Sequence, residues 1–267
     1  MTDPRPGSFP ARLAGVALVV AGLACGEVPT LPEGVAYISP IILASPAVAL
    51  GDTLRDSLGV VTPLKLYGID NSGDTVRNIT PLFIVTSIPG QSVHLTPTNL
   101  AIGDSVRTAT IVGQVGTRLQ TPPASLDVVL QPDSVSASTS TSSRFPVPTA
   151  GEVTSVVSLG VSVTSPPTST TQRAGVKSII VRYAVTRIFP ATASIPDTTL
   201  VLIDDTGRFR LPTGRAATDT TDAAGSASRR IRAIPLGFDS VEVSASANNL
   251  KGIPLKGSPI RFVVTTK

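Results

Sequence analysis

Alternation of apolar and polar residues with a period of two is the feature that most restricts the fold of this chain. The pattern recurs in the second half of the sequence over residues 157–164, 178–186, 240–247 and 260–264. Alternate side chains of a β-strand point to opposite faces, so each segment has one apolar face to bury. Aromatic residues make up only 4 % of the chain and Trp is absent, so that core is aliphatic. The sequence predicts an all-β protein built of antiparallel sheets.

Short apolar segments separated by turn residues indicate β-sandwiches. With 267 residues, 24 Pro and 22 Gly, the chain is long enough for two of them in tandem, predicted at 35–133 and 153–267. In the first, Leu64 and Leu66 are expected to share one face of a strand, and the segment Asp70–Asp74 is expected to form a tight turn. Residues 134–152 are rich in Ser, Thr and Pro and are predicted to be a flexible linker, because such a composition buries little apolar area.

The N-terminus has the features of an export signal. Arg5 and Arg12 precede an apolar run that ends in small residues at position 24, which predicts a cleaved signal peptide over 1–24. The run is shorter than the ~20 residues that span a bilayer. The chain's single cysteine, Cys25, follows directly.

The stretch Gly22-Leu-Ala-Cys25 resembles the lipobox of bacterial lipoproteins, although Gly22 stands where that motif usually has Leu. The resemblance implies a lipid on Cys25, which would then anchor the protein to a membrane. Residues 25–34 would form a short Pro-containing tether between lipid and sandwich. The alternative is a soluble secreted protein cut after Ala24.

The second sandwich resembles the group 1 bacterial Ig-like repeats of the invasin and intimin family. The resemblance rests on the segments 218–227, 237–247 and 260–264, with a Thr-Asp turn and a Gly-led strand before the closing strand. The first sandwich is more loosely similar to the group 2 repeats, through Leu64-x-Leu66, the 70–74 turn and 103–111, but lacks their usual tryptophan. These resemblances imply two tandem Ig-like antiparallel sandwiches with adhesive or spacing roles.

Residues for catalysis or metal binding are scarce. His94, the single histidine, alternates with Val93 and Leu95 and is expected on a solvent-facing strand position. One His and one Cys cannot supply the three or four ligands of a zinc site. Aspartates cluster in three predicted turns (Asp70 and Asp74, Asp204 and Asp205, Asp219 and Asp222), where they are ordinary turn residues without EF-hand spacing. We predict no enzyme, no metal and no cofactor.

Arginines form the most suggestive surface feature, predicted on one strand and on the loop before it: Arg208, Arg210, Arg215, Arg230 and Arg232. If these segments are adjacent, the arginines could bind sulfate, phosphate or carboxylate groups. The alternative is that they protect an exposed sheet against aggregation. Basic residues are not interleaved with aromatic ones, so no nucleic acid partner is expected.

Together these features predict a non-enzymatic cell-envelope lipoprotein that serves adhesion, interaction or structural spacing. Its partners would be the membrane, through lipid on Cys25, and an envelope protein or glycan. Gly26 after the cysteine resembles lipoproteins sent to the outer membrane or cell surface, with a periplasmic or secreted location as the alternative. An alternative function is binding of an anionic glycan or surface polymer through the five arginines.

Overall fold

The structure, a computed structural model, describes residues 34–86, 91–148, 152–167, 173–190, 193, 195–196, 199–203 and 214–266. The predicted signal peptide and Cys25 therefore lie outside the described residues. The first half contains β1 (Tyr37–Ile38), β2 (Ala47–Ala49), β3 (Gly68–Ile69), β4 (Thr75–Val76), β5 (Leu82–Val85), β6 (Val93–Leu95), β7 (Ala101–Gly103), β8 (Thr108–Val115), β9 (Leu119–Gln120) and β10 (Ala124–Val129). The second half contains β11 (Ser134–Ala137), β12 (Ser142–Arg144), β13 (Ser155–Thr164), β14 (Ile180–Phe189), β15 (Leu200–Ile203), β16 (Ala216–Thr220), β17 (Ser226–Ala233), β18 (Ser240–Ala247) and β19 (Ile260–Thr265).

The first sandwich packs a small sheet of order β1-β3-β4 over a sheet of order β2-β10-β8-β5, with β9 paired to β8 and a separate β6-β7 pair. Gly113 of β8 marks the contact between the layers, since a Cβ there would lie 2.5 Å from the Leu66 side chain. Leu64 and Leu66, which alternation placed on one face, are both buried, together with Ile111 and Leu126.

The second sandwich has sheets of order β11-β13-β17-β15 and β12-β19-β18-β14-β16. Most pairs are antiparallel, but β12 joins β19 in parallel, as β2 joins β10 in the first sandwich. In both sandwiches the opening segment therefore lies beside the last strand, and the order of the adjoining strands is that of an Ig-like sheet. The predicted all-β class with tandem Ig-like sandwiches is confirmed.

The core of the second sandwich is aliphatic apart from a few aromatic rings. Most of the residues that alternation placed on one face are fully buried on four strands, while Val157 and Val185 are partly buried. The fully buried ones are Leu159, Val161, Val163, Val181, Tyr183, Val241, Val243, Ala245, Phe262 and Val264. Burial of aliphatic side chains is worth about 25 cal/mol per Å² of apolar area, and two facing sheets supply that burial without any disulfide.

The predicted linker is wrong over residues 134–145. Residues 134–137 form β11, which pairs with β13, and residues 142–144 form β12, which pairs with β19. Phe145 follows at 2 % exposure and stacks edge-to-face on Phe238 with ring centroids 6.1 Å apart. The serines occupy the outward positions of β11 while Val135 faces the core, so a polar composition still makes a strand. The second sandwich begins at Ser134.

Within the described ranges there is no helix with the length and apolarity that crossing a bilayer requires.

Candidate functional site

His94 lies on β6 beside Asp104. The Nδ1 of His94 is 2.8 Å from each of the two carboxylate oxygens of Asp104. The side chains are 46 % and 38 % exposed, so this is a hydrogen-bonded pair at the surface. Exposed pairs of this kind contribute about 0–1 kcal/mol. The solvent-facing position predicted for His94 matches its exposure.

In the acidic turns, the carboxylates accept hydrogen bonds from backbone amides. Oδ1 of Asp70 accepts the amides of Ser72 and Asp74, and the amide of Asp74 is the main cause holding the pKa of Asp70 below its ordinary value. Oδ1 of Asp222 accepts two amides in the same manner. Asp204 and Asp205 lie outside the described residues. In the part of the chain that is described, no three His, Cys, Asp or Glu side chains are grouped to hold a metal ion.

The Thr-Asp turn that carries the sequence resemblance has a structural role. Asp219 on β16 accepts the Ser228 amide at 2.8 Å and lies 3.2 Å from the guanidinium of Arg229 on β17. Arg229 pairs in register with the buried Leu159, so it points into the sandwich, and its side chain is only 14 % exposed. This ion pair joins β16, the edge strand of one sheet, to β17 of the other sheet.

The structure brings together only part of the predicted arginine site. Arg230 and Arg232 stand two residues apart on the outward side of β17, and neither has an ion-pair partner among the described residues. Arg215 precedes β16 at the sandwich edge, where its guanidinium donates to the Ile195 carbonyl. Arg208 and Arg210 lie outside the described residues. The five-residue site stays a prediction.

The structure adds a site that the sequence did not indicate, a polar joint between the two sandwiches. The carboxylate of Asp127 on β10 accepts hydrogen bonds from Lys177 at 2.6 Å, from Ser178 at 2.5 Å and from Thr108 at 2.5 Å. Lys177 and Ser178 belong to the second sandwich, so one carboxylate holds both halves. Ser178 adopts a φ of +62°, a conformation uncommon outside glycine.

Two opposing effects act on the pKa of Asp127. Burial works to raise it, because a charged carboxylate loses hydration. The hydrogen bonds from Lys177, Ser178 and Thr108 outweigh burial and hold the pKa below its ordinary value of 3.8. Asp127 is therefore ionised at neutral pH, and its interactions with the second sandwich are charge-assisted.

Apolar and backbone contacts extend the joint. Ala47 on β2 and Val129 on β10 belong to the first sandwich by their pairing, yet they pack into the core of the second. On another side, Gly59 and Gly252 place two loops back to back, since a Cβ on Gly59 would lie 2.1 Å from the Lys251 carbonyl oxygen. The two sandwiches are thus in direct contact over several elements.

The short segment that connects the sandwiches is held by ion pairs to the second sandwich. Asp133 accepts hydrogen bonds from Arg173 at 2.8 Å and lies 2.9 Å from the Lys256 ammonium. The Arg173 bond, followed by that of Lys256, lowers the pKa of Asp133. Both basic residues come from the second sandwich, so the connection is held to it immediately before β11.

A small open cleft of about 100 Å³ lies beside the joint, lined by residues of both sandwiches. Much of its polar lining is already engaged. Asp56 accepts the amides of Leu58 and Val60, Asn249 accepts two amides of its own turn, and Ser178 donates to Asp127. Turn-forming groups therefore make up much of the border of the cleft.

A scan against protein-family models and a search of curated proteins gave no match. A search of solved structures gave matches of low identity. The adhesin InvE of Yersinia pseudotuberculosis is 16 % identical with a TM-score of 0.36, and the match covers 86 % of this chain and 58 % of InvE. Domains 4 and 5 of the S-layer protein SbsC are 10 % identical with a TM-score of 0.31, covering 86 % of this chain and 99 % of theirs.

The fibronectin(III)-like modules of Clostridium thermocellum CbhA are 10 % identical with a TM-score of 0.29, covering 86 % of this chain and 94 % of theirs. TM-scores of this size carry no conclusion on ligand or activity. The fold assignment rests on the strand order of this chain.

Proposed function

We propose that this chain is a non-enzymatic, lipid-anchored envelope protein in which two joined Ig-like sandwiches form a stiff spacer or adhesive module. The observation that carries the proposal is the joint, in which Asp127 of the first sandwich binds Lys177 and Ser178 of the second. A spacer must hold its distal surface at a set position, and a flexible linker would not do so. The buried contacts of Ala47 and Val129 add to that stiffness.

The anchor in this proposal is a lipid on Cys25, and the first sandwich would be the membrane-proximal one because β1 begins at Tyr37. One buried acyl CH₂ contributes ~0.8 kcal/mol to membrane binding, so stable anchoring needs two or more chains. A diacylated or triacylated cysteine meets that requirement.

Intact mass and membrane fractionation of the native protein beside a Cys25→Ser variant test the proposal. We expect a mass that includes acyl chains on Cys25, and release of the variant from the membrane fraction. A soluble native protein whose mass shows an unmodified cysteine would contradict the anchor, and free rotation of the two sandwiches in small-angle scattering would contradict the spacer.

A second candidate function is binding of an anionic glycan or surface polymer. Arg230 and Arg232 favour it, because they share one outward face and have no acidic partner among the described residues. Binding to an immobilised sulfated polymer should weaken as salt rises, since exposed charges are screened within ~8 Å at physiological ionic strength. The Arg230→Ser/Arg232→Ser variant should lose it, while Arg261→Ser, which removes a 72 % exposed arginine from the other sheet, should not. Equal binding by all three proteins would exclude this site.

A further inference from the structure

The outer face of the β1-β3-β4 sheet carries an unusual concentration of exposed aromatic and aliphatic side chains. Tyr37 pairs with Ile69, and the Ser39 amide bonds to the Tyr67 carbonyl, so both tyrosines point away from the core. They are 49 % and 46 % exposed. Ile42, 44 % exposed, pairs with the exposed Lys65 on the same side. We name Tyr37, Ile42, Lys65 and Tyr67 the tyrosine face.

The tyrosine face is close in sequence to the proposed anchor. Tyr37 lies twelve positions after Cys25. An extended chain spans at most ~3.5 Å per residue, so Tyr37 cannot be farther than about 40 Å from a lipidated Cys25. The tyrosine face is therefore kept within about one bilayer thickness, ~40–45 Å including the headgroups, of the lipid on Cys25. A lipid surface is therefore the partner that the anchor would bring to this face at high local concentration.

The chemistry of the face suits a lipid–water boundary. Tyrosine combines an apolar ring with a polar hydroxyl and is enriched at membrane interfaces for that reason. Lysine can lay its apolar stem along the surface while the ammonium reaches a headgroup phosphate. Asp70 and Asp74 lie in the turn at the end of the same sheet, and Arg77 follows β4, so the net charge near the face is small. Contact would depend on the rings more than on charge.

We infer that the tyrosine face rests on the headgroup region of the membrane to which Cys25 is anchored, an inference that depends on the proposed lipidation. Two of the three tyrosines of the chain belong to the face, and there is no Trp. The third, Tyr183, is 1 % exposed inside the second sandwich. The intrinsic fluorescence of the protein can therefore report on the face directly.

The experiment places the lipidated protein in phosphatidylcholine vesicles with and without a lipid spin-labelled near the headgroup. We expect the label to quench the emission of Tyr37 and Tyr67, and aqueous acrylamide to lose access to both. A Tyr37→Phe/Tyr67→Phe variant, which keeps the rings and retains only Tyr183 as emitter, should show no quenching by the label. The effect should persist in 0.5 M salt, unlike binding through Arg230 and Arg232.

A matched control removes exposed apolar area from the opposite side of the same sandwich. Leu82 and Ile84 on β5 are 59 % and 39 % exposed on the outer face of the other sheet. The Leu82→Ser/Ile84→Ser variant should retain full quenching, whereas loss of quenching in that variant would contradict the assignment of the face.

Three other results would overturn the inference. Protein that floats with the vesicles but keeps its tyrosines open to acrylamide would refute the face and leave the anchor standing. Native protein that lacks acyl mass and stays in solution would refute the anchor and this inference together. Protection from acrylamide that appears without vesicles and grows with protein concentration would show that a second copy covers the face.

Discussion

Replacing Asp127 by alanine tests the joint between the sandwiches most directly. The change removes three hydrogen bonds of 2.5–2.6 Å to an ionised acceptor, two of which cross between the sandwiches. A hydrogen bond to a charged group contributes about 1.5–3 kcal/mol. The three bonds share one carboxylate, and Lys177 is 32 % exposed and can regain water, so their sum is well below the simple total. We expect a loss of about 3 kcal/mol in the free energy of unfolding.

A loss of that size lowers the melting temperature of a unit of 150–250 residues by roughly 6–12 °C. Scanning calorimetry of the native protein and the variant measures the shift and shows whether the two sandwiches now melt separately. Asp104→Ala is the matched control, because it removes an aspartate from an exposed pair with His94 and should change the stability by less than about 1 kcal/mol.

A double-mutant cycle identifies the cause of the loss. Asp127→Ala and Ser178→Ala should couple by about 0.5–3 kcal/mol if their side chains interact across the joint. Additive effects of the two changes, or a melting curve of Asp127→Ala that coincides with that of the native protein, would refute the joint as described.

The joint should also weaken in acid. The folded-state pKa of Asp127 lies below the ordinary value of 3.8, so the carboxylate stabilises the folded state fully above the unfolded-state pKa. That contribution is lost as the pH falls through the lower, folded-state pKa. The stability difference between the native protein and Asp127→Ala should therefore be constant near neutral pH and shrink below about pH 4.

Three further predictions concern other contacts. Gly59→Ala should destabilise the protein by more than about 2 kcal/mol in urea unfolding, because the new Cβ would lie 2.1 Å from a carbonyl oxygen. Gly73→Ala is the control, since Gly73 has open space around it and the change should cost only about 1 kcal/mol of backbone strain. Asp219→Ala should cost about 3 kcal/mol, since it leaves the mostly buried Arg229 without its carboxylate partner, and Asp219→Asn should recover part of that. Limited proteolysis should leave residues 134–145 uncut until the second sandwich unfolds, and early cleavage there, read by mass spectrometry, would contradict the pairing of β11 and β12.

Alternation predicted the strands best where one face is uniformly aliphatic. Val161, Val163, Val241 and Val243 are all fully buried, because a period of two leaves a strand only one way to face a core. The same rule explains Arg229, which shares its side of β17 with the buried Ile231 and therefore points inward. Its proximity to Asp219 follows from the sheet arrangement and not from any spacing in the sequence.

The error at residues 134–145 has a physical cause. Val135 and Ala137 supply the inward side of β11, while its serines face outward, so small and polar residues conceal a strand that composition alone assigns to a linker. Its stability comes from pairing with β13, including a 2.9 Å hydrogen bond between Ser134 and Thr164. Such pairing partners lie about thirty residues away and leave no local signal.

The joint has a consequence for any function that uses both sandwiches. Val129 ends the last strand of the first sandwich and is buried in the core of the second, only five residues before β11 begins at Ser134. This connection between the sandwiches is short, and Val129 and Asp127 just before it are both held in place. It therefore has little freedom to bend. The tyrosine face and the outward arginines of β17 are therefore carried on one connected framework. If the membrane holds the first surface, the second is presented at a set orientation, which a hinge between the sandwiches would abolish.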